Sequence, residues 1–347
     1  KVSSNRRRAV AALAVTAALA GGSAAALSWP PPPDAPRITL HAVLPDLVPL
    51  PVPRPSTALR AFRWIVGLPP GGREPRPDPV LVRPTGLWVR GGFLYVADPG
   101  RRGIVQIDLV TRRMVRTFPR DGKLLVSPVG VVVTAGGVAF VTDSAAGAVR
   151  EFGPDGRSRG VLAAPDPPLL RPTGIALDER RGRLYVADTG GHRIHVYSTA
   201  GRHLFAFGER GAEPGQLNFP TYLWLDAARD ELFVCDSANF RIQRFAPDGA
   251  PRGTFGEVGD RPGFLARPRG LGTDSDRNVY VVDGALEAVQ IFDLKGKLEL
   301  WFGESGTDAG SFILPGGIFV DGADRIYVAD TYNARVQVFQ YLKETGS

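Results

Sequence analysis

The sequence predicts an all-β fold, a six-bladed β-propeller of four-stranded blades, and three observations support this prediction. An apolar run that ends in aspartate occurs six times, at intervals of 45, 45, 48, 47 and 47 residues. Each copy contains four short β-rich segments separated by Gly, Pro and Asp. Turn formers are abundant, with 42 Gly and 31 Pro among 347 residues. A repeat of this length with four strands is typical of a propeller blade.

Five of the six repeats begin with a Pro-x-Gly turn, and in the fourth Tyr222 replaces the Gly. The second strand of each repeat ends at the recurring aspartate. The third strand alternates apolar and polar residues, as in residues 193–197, and the fourth ends in Phe-Gly, as at Phe207 and Gly208. The six aspartates are Asp98, Asp143, Asp188, Asp236, Asp283 and Asp330. Because they lie where a strand ends and a turn begins, we predict that they bind backbone N–H groups and have no catalytic role.

The last repeat predicts how the ring closes. Its third strand ends at Phe339, and only residues 340–347 follow. An apolar segment at residues 59–67 precedes the first repeat and resembles the fourth strands of the other copies. We predict that this N-terminal strand completes the last blade, because closure removes an open sheet edge that would otherwise pair with other chains.

Residues 1–28 have the layout of a signal peptide or an N-terminal membrane anchor. Lys1 and three arginines precede an uncharged, alanine-rich stretch over residues 9–27. This stretch is long enough to span a bilayer if it is not cleaved. We therefore expect an extracytoplasmic protein, periplasmic or in the cell envelope, that is secreted or tethered by this segment and touches the membrane nowhere else.

The remaining chain divides into a linker, a propeller and a tail. Residues 29–57 are a predicted Pro-rich linker, with ten prolines between Trp29 and Pro55. Such a composition favours extended polyproline conformations and acts as a semi-rigid spacer. The predicted propeller covers residues 58–342, and residues 343–347 form a short C-terminal tail.

The charge of the chain argues against a nucleic-acid partner, and its cysteine content excludes an internal disulfide. The net charge is +7, but the first 28 residues contribute four positive charges, so the remainder carries 38 Lys and Arg against 35 Asp and Glu. This small excess is weaker than the basic stripe of a nucleic-acid binder, and we predict no nucleic-acid partner. Cys235 is the only cysteine, which excludes an internal disulfide; we predict that it is buried in a central strand.

The repeats resemble the NHL-repeat family in its six-bladed form. Members of that family carry Asp-x-x-Asn-x-Arg after the second strand, as in Asp236, Asn239 and Arg241 and again over residues 330–335. They also carry a Gly-rich loop before the Pro-x-Gly turn, and three such loops here have the same spacing. The Trp-Pro-Pro-Pro-Pro stretch at residues 29–33 resembles a bacterial extracytoplasmic, often membrane-attached subgroup. That resemblance implies a scaffold in the cell envelope, beside multihaem cytochromes in an electron-transfer assembly.

Motifs for catalysis and cofactor binding are absent from the sequence. It has no haem-attachment motif, no serine nucleophile elbow and no phosphate-binding loop. Propeller lyases similar to this family hold a metal with histidines from several blades, whereas His192, His195 and His203 all fall in the third repeat. We predict no catalytic residue, no cofactor and no metal. Three functions stay open: a protein-binding scaffold, a metal-dependent lyase or lactonase-type hydrolase, and an RNA-binding NHL module.

The predicted binding surface is the rim formed by two sets of loops, those between strands four and one and those between strands two and three. Both sets lie on one face of a propeller, and Arg and aromatic residues on such loops are the usual anchors of an interface. The candidate partner-binding residues are Arg102, Arg193, Tyr222, Phe240, Arg241, Arg269 and Tyr332. We expect a protein partner from the cell envelope, for which the resemblance implies a multihaem cytochrome.

Overall fold

The computed structural model describes residues 27–31, 34–45 and 79–343. Strands form nearly all of the regular structure in this part of the chain, with two short 3-10 helices at Ser144–Ala146 and Ser237–Asn239. The strands are, in chain order, β1 (Ser28–Trp29), β2 (Ile38–Leu44), β3 (Leu87–Arg90), β4 (Phe93–Asp98), β5 (Gly103–Asp108), β6 (Met114–Phe118), β7 (Pro128–Val133), β8 (Ala139–Asp143), β9 (Ala148–Phe152), β10 (Ser158–Val161), β11 (Pro172–Asp178), β12 (Arg183–Asp188), β13 (Arg193–Ser198), β14 (His203–Phe207), β15 (Pro220–Asp226), β16 (Glu231–Asp236), β17 (Arg241–Phe245), β18 (Pro251–Phe255), β19 (Pro268–Thr273), β20 (Val279–Asp283), β21 (Ala288–Phe292), β22 (Leu298–Phe302), β23 (Ile318–Val320), β24 (Arg325–Asp330) and β25 (Arg335–Tyr341).

Six antiparallel sheets confirm the predicted six-bladed propeller. Blades 1 to 5 are the consecutive groups β3–β6, β7–β10, β11–β14, β15–β18 and β19–β22. Blade 6 contains β23, β24, β25 and β2, and β1 adds a fifth strand at its outer edge. The first strand of each blade contacts the first strand of the next, and β23 contacts β3, so the inner strands form a closed ring.

An N-terminal strand closes the ring, as predicted, but it is not the strand expected. β2 lies antiparallel to β25, with Ile38 opposite Tyr341 and Leu44 opposite Val336. This edge of β25 is therefore occupied, and the assignment of residues 59–67 to it is wrong; that segment lies outside the described residues. The predicted linker is corrected as well, because residues 38–44 within it form the closing strand.

Local sequence explains why the closing strand was missed. Its residues are rich in β-branched and aliphatic types, and both ends, Ile38 and Leu44, are buried, but prolines flank it at positions 36 and 45 and give the region the composition of a linker. Trp29 in β1 holds the same segment against the blade, because its ring packs 5.7 Å from the rings of both Phe302 and Phe339. The Pro-rich stretch therefore begins inside the fold.

Apolar side chains between neighbouring blades form the core. The second strands are buried on both faces, as the run Phe93–Asp98 shows, since each blade packs between two others. Cys235 lies in such a strand and is fully buried, as predicted, and burial raises the pKa of its thiol well above the usual value. This thiol is therefore a small apolar core group, not a nucleophile.

The six recurring aspartates are structural, as predicted. Asp98 accepts hydrogen bonds from the backbone N–H groups of Val82 (2.7 Å) and Arg83 (3.0 Å), which lead into the inner strand of its own blade. The aspartates of the other five blades make the equivalent bond to the loop of their own blade. All six carboxylates are at most 2% exposed. Each one fixes the path of a loop on the face where the inner strands begin.

Residues 1–26, which hold most of the predicted signal peptide or anchor, lie outside the described residues. In the ranges that the structure does describe, no helix is both long and apolar enough to cross a bilayer.

Candidate functional site

The propeller has two faces, which we name by the direction of the inner strands. The entry face is where β3, β7, β11, β15, β19 and β23 begin, and it carries the loops between strands four and one and those between strands two and three. The exit face is where the inner strands end. The channel between these strands contains one pocket towards each face, of about 560 Å³ at the entry face and about 280 Å³ at the exit face.

Aromatic side chains occupy the middle of the channel. Phe319 lies 5.2 Å from Trp88 and 5.5 Å from Trp224, in both cases edge to face. Tyr222 reaches across from blade 4 to blade 6, where its hydroxyl donates a 2.6 Å hydrogen bond to the carbonyl of Ile318. Burial raises the pKa of Tyr222 far above the usual value, so it stays a neutral donor. Tyr222 lines both pockets and separates them.

The entry pocket is bounded by the middle residues of the Pro-x-Gly turns. Thr85 uses its hydroxyl to bind the carbonyl of Val129 in the next blade (3.0 Å), and Thr173 binds the carbonyl of Thr221 in the same manner (3.0 Å). These hydroxyls therefore join neighbouring blades. Among the described residues, the only charged ones that line this pocket are Arg171 and Arg269, and none of them supplies a carboxylate.

Arg269 differs from the threonines at the equivalent turns. Its guanidinium makes no hydrogen bond and no ion pair with any of the residues that the structure describes, although it is half-buried. Burial lowers the pKa of Arg269, and the neighbouring Arg267 lowers it further, but an arginine stays charged at any pH of interest. The entry pocket therefore contains a cation without a counter-charge.

Arg241, a predicted rim residue, uses its guanidinium for hydrogen bonds within the fold. Its Nε donates to Asp236 (2.8 Å), while its Nη1 and Nη2 donate to the carbonyls of Ala212 (2.6 Å), Glu213 and Gln216 (3.0 Å each). Arg335 makes the same set of bonds in blade 6. The Asp-x-x-Asn-x-Arg motif thus clamps the Gly-rich loop to the blade, and four of the five N–H donors of Arg241 are used within the fold.

The other predicted rim residues differ in the contacts that hold their side chains. Arg102 and Arg193 each use Nε on a loop carbonyl, at 2.9 Å from Leu125 and 3.4 Å from Gly191. Phe240 is half-buried in a left-handed conformation at the end of a 3-10 helix. Tyr332 is 56% exposed and lies under the guanidinium of Arg83 at 5.6 Å. Tyr222 lies in the channel and not on the rim.

Sequence reasoning missed the apolar part of the entry face. Val126 is 48% exposed, Leu170 is 68% exposed, and Phe219 is 41% exposed and stacks on His192 at 4.4 Å. Val126 and Leu170 precede a Pro-x-Gly turn by two positions, and Phe219 directly precedes Pro220. An aspartate binds the backbone N–H groups of Val126 and Leu170, and the side chains of both are exposed.

Several arginines of the exit face form ion pairs, whereas those around the entry pocket form none with the described residues. Arg90 bridges to Glu179 (2.6 Å), Arg181 to Asp230 (2.8 Å) and Arg229 to Asp226 (2.6 Å). The hydrogen bond to Asp230, with a second to Asp178, raises the pKa of Arg181. By contrast, four entry-face arginines form no ion pair with the described residues: Arg83, Arg171, Arg267 and Arg269. Further acidic residues of this face lie on the Gly-rich loops, such as residues 209–217 and 257–265.

The histidines do not surround the channel. His195 is buried, its Nδ1 lies 3.1 Å from Nε2 of His203, and its Nε2 lies 4.0 Å from the carboxylate of Asp188. Burial lowers the pKa of His195 to about 4, against the opposing effect of Asp188. Across residues 27–31, 34–45 and 79–343, no group of three or more His, Cys, Asp or Glu side chains is placed to hold a metal ion.

Comparison with known families identifies the repeats. A family model described as the NHL repeat matches residues 169–197 and 312–339. The gluconolactonase of Zymomonas mobilis subsp. mobilis is 32% identical over 144 residues, which cover 36% of this chain and 38% of that protein. The chain thus spans well under half the length of this curated relative.

Solved structures share the fold at low sequence identity. Virginiamycin B lyase from Staphylococcus aureus has a TM-score of 0.55 and 15% identity, over 75% of this chain and 96% of that one. A chain of a nidogen/laminin complex has a TM-score of 0.53 and 24% identity, over 63% of this chain and 79% of that one. At these identities the likeness extends to the propeller architecture alone.

Proposed function

We propose that this NHL-repeat β-propeller is a non-catalytic binding protein that holds a protein partner on its entry face. The observation that carries the proposal is the contrast between the two faces. The exit face pairs Arg90, Arg181 and Arg229 with carboxylates, whereas the four arginines around the entry pocket form no ion pair with the described residues. Exposed apolar side chains lie between these arginines, and the two residue types together are typical of an interface.

The chemistry of the entry face defines the partner. Leu170 and Tyr332 offer exposed apolar area, and Arg83, which lies over Tyr332, offers an ordered cation. Such a surface favours a partner that presents acidic residues beside apolar ones, because unpaired arginines attract carboxylates during encounter and in the complex. A rigid scaffold of six sheets holds these loops in place, which reduces the entropy lost on binding.

The location of the partner follows from the predicted export signal. Residues 1–28 support an extracytoplasmic location, in the periplasm or cell envelope, and the resemblance at residues 29–33 supports a partner in an electron-transfer assembly that contains multihaem cytochromes. Trp29 is packed on blade 6, so an uncleaved leader would tether the propeller directly at this blade, without a free linker between them. A fusion of residues 1–57 to a reporter that is active only outside the cytoplasm tests the location, and a signal confined to the cytoplasm would contradict it.

Site-specific photocrosslinking in the native cell tests the binding face. A photoreactive residue replaces Leu170 or Tyr332 on the entry face, and the matched control replaces Ala228, which is exposed between β15 and β16 on the exit face. We expect a crosslinked product of one defined mass from both entry-face positions and none from position 228. Products from position 228 alone, or no product from either entry-face position, would refute the proposal.

A lactonase-type hydrolase is a second candidate, favoured by the partial match to the gluconolactonase. Calcium-dependent propellers of that type need carboxylate and amide oxygens at the channel mouth. The residues that line the entry pocket do not fit such a site, because they supply two arginines and no carboxylate. Hydrolysis of gluconolactone by the purified chain with added calcium, abolished by a chelator, would establish this candidate in place of the binding protein.

A further inference from the structure

Blade 5 departs from the other blades at two positions of the entry face. The middle residue of the Pro-x-Gly turn is Thr, Val or Gly in the other five blades, and only blade 5 has a long cationic side chain there, Arg269. The residue that follows the recurring aspartate is Ser or Thr in four of the other blades and Pro99 in the first, whereas blade 5 has Gly284. Both departures therefore occur in the same blade.

The residue that follows the recurring aspartate has a structural role in blades 3, 4 and 6. After the recurring aspartate, the hydroxyl of Thr189 donates to the carbonyl of Pro220 (2.6 Å), and Thr331 donates to that of Pro84 (2.8 Å). Gly284 cannot make this bond to the next blade. Blade 5 therefore lacks the side-chain bond to the next blade that blades 3, 4 and 6 make.

Gly284 makes room for Arg269. A Cβ atom at position 284 would lie 2.8 Å from Cδ of Arg269, which is too close for any residue larger than glycine unless the arginine moved. The absence of a side chain at 284 therefore allows the stem of Arg269 to lie across blade 5. The two departures from the repeat together place one guanidinium at the mouth of the channel.

The surroundings of Arg269 define what it binds. The entry pocket has a volume of about 560 Å³, within the usual range for ligand sites, and its walls are neutral apart from Arg171 at the exposed rim. The guanidinium of Arg269 has no acceptor among the described residues, and an anion in the pocket would supply one. A planar guanidinium matches a carboxylate in two parallel hydrogen bonds.

We propose that the entry pocket is a carboxylate-recognition site, in which Arg269 binds a carboxylate of an acidic segment of the protein partner. This inference rests on the proposed function for the identity of the partner. Leu170 borders the pocket and is largely exposed, so the segment that fits best carries an apolar residue next to the acidic one. Thr221 and Tyr222 already use their hydroxyls within the fold, which leaves Arg269 as the residue that sets the preference for a negative charge.

The test uses defined probes and variants of matched charge. The probe is a capped hexapeptide with one Leu-Glu pair, and the comparison probes are its Leu-Gln counterpart, sodium succinate and inorganic phosphate. Arg269→Thr restores the residue that other blades have at this position, and Arg267→Thr removes the same charge from an exposed neighbour that lies outside the pocket. Binding is measured from the NMR signals of the pocket residues and of the Arg269 side chain during titration.

We expect the Leu-Glu peptide to bind in the millimolar range and to shift the Arg269 Nε–H signal. Arg269→Thr should weaken it at least about tenfold, the Leu-Gln peptide should be weakened similarly, and Arg267→Thr should cost less than about twofold. If succinate bound more tightly than the peptide, the claim that the carboxylate belongs to a protein segment would be wrong. If phosphate bound more tightly, the claim that the site recognises a carboxylate would be wrong. Absence of peptide binding, or equal losses in both arginine variants, would overturn the site. None of these results would contradict partner binding on the entry face, which the crosslinking decides separately.

Discussion

At the scale of single residues, the recurring aspartate of blades 2, 3, 4 and 6 faces a polar side chain seven positions later, and the identity of that side chain changes between blades. In blades 4 and 6 it is Gln243 or Gln337, whose Nε2 donates to the aspartate at 3.0 and 3.1 Å. In blade 3 it is His195, which faces Asp188 at 4.0 Å, contacts His203 and lies near Arg193. The histidine is 3% exposed, so its protonation is coupled to unfolding.

The histidine predicts a loss of stability in acid. Its pKa is about 4 in the folded chain and about 6.5 when unfolded, so below pH 6.5 the unfolded chain binds a proton that the folded chain does not. The free energy of unfolding should therefore fall by up to about 1.4 kcal/mol per pH unit from pH 6.5 down to about 4 on account of this residue. His195→Gln, which installs the residue of blades 4 and 6, should remove that share of the slope in urea unfolding. Equal slopes for both proteins would contradict the account.

Arg241 was predicted to bind a partner, and in the structure its guanidinium binds Asp236 and three loop carbonyls. Removing its side chain leaves the buried carboxylate of Asp236 without its cation and three loop carbonyls without a donor. Arg241→Ala should lower the free energy of unfolding by about 2–3 kcal/mol. Arg267→Ala, which removes an exposed arginine without an ion pair in the described part of the chain, should change it by less than about 0.5 kcal/mol. Similar unfolding midpoints for the two variants would show that the clamp contributes nothing.

At the scale of elements, the closing strand decides whether the ring is complete. β2 pairs along its length with β25, and β1 covers its other edge through Ser28 and Trp29. Truncation before residue 27 should leave stability unchanged, whereas truncation before residue 46 should expose β25 and cause aggregation or a large loss of stability. Size-exclusion chromatography and thermal unfolding of the two truncated proteins test this. Equal behaviour of both would contradict closure by β2.

Most of the propeller could be predicted because its signals are local and repeated. The recurring aspartates gave the period, and the short strands between turn residues gave the number of strands per blade. The closing strand could not be predicted in the same way, because it lies outside the repeat period. Its flanking prolines also give the segment the composition of a linker. Arg269 was predicted to lie on the rim. The sequence could not predict that its guanidinium makes no hydrogen bond with the described residues, because Arg269 and Arg241 are the same residue type and differ only in their surroundings.

At the scale of the whole molecule, function lies in the difference between two faces of one rigid ring. On the exit face, Arg181 of blade 3 pairs with Asp230 of blade 4, and Arg90 of blade 1 pairs with Glu179 of blade 3. On the entry face the carboxylates of the aspartates are buried and bind loop N–H groups. The exposed side chains near the channel are therefore arginines and apolar residues. We therefore expect affinity to reside on the entry face and to be sensitive to added negative charge there.

The most direct test compares one substitution on each face against the crosslinked partner, purified from the native cell. Leu170→Glu places a carboxylate beside the entry pocket, and Ala228→Glu places the same charge on the exit face; both positions are exposed, so both variants should fold as the original protein does. Calorimetric titration should show at least about a tenfold loss of affinity for Leu170→Glu and a change below about twofold for Ala228→Glu. Unchanged affinity for Leu170→Glu, or a larger loss for Ala228→Glu, would contradict the account.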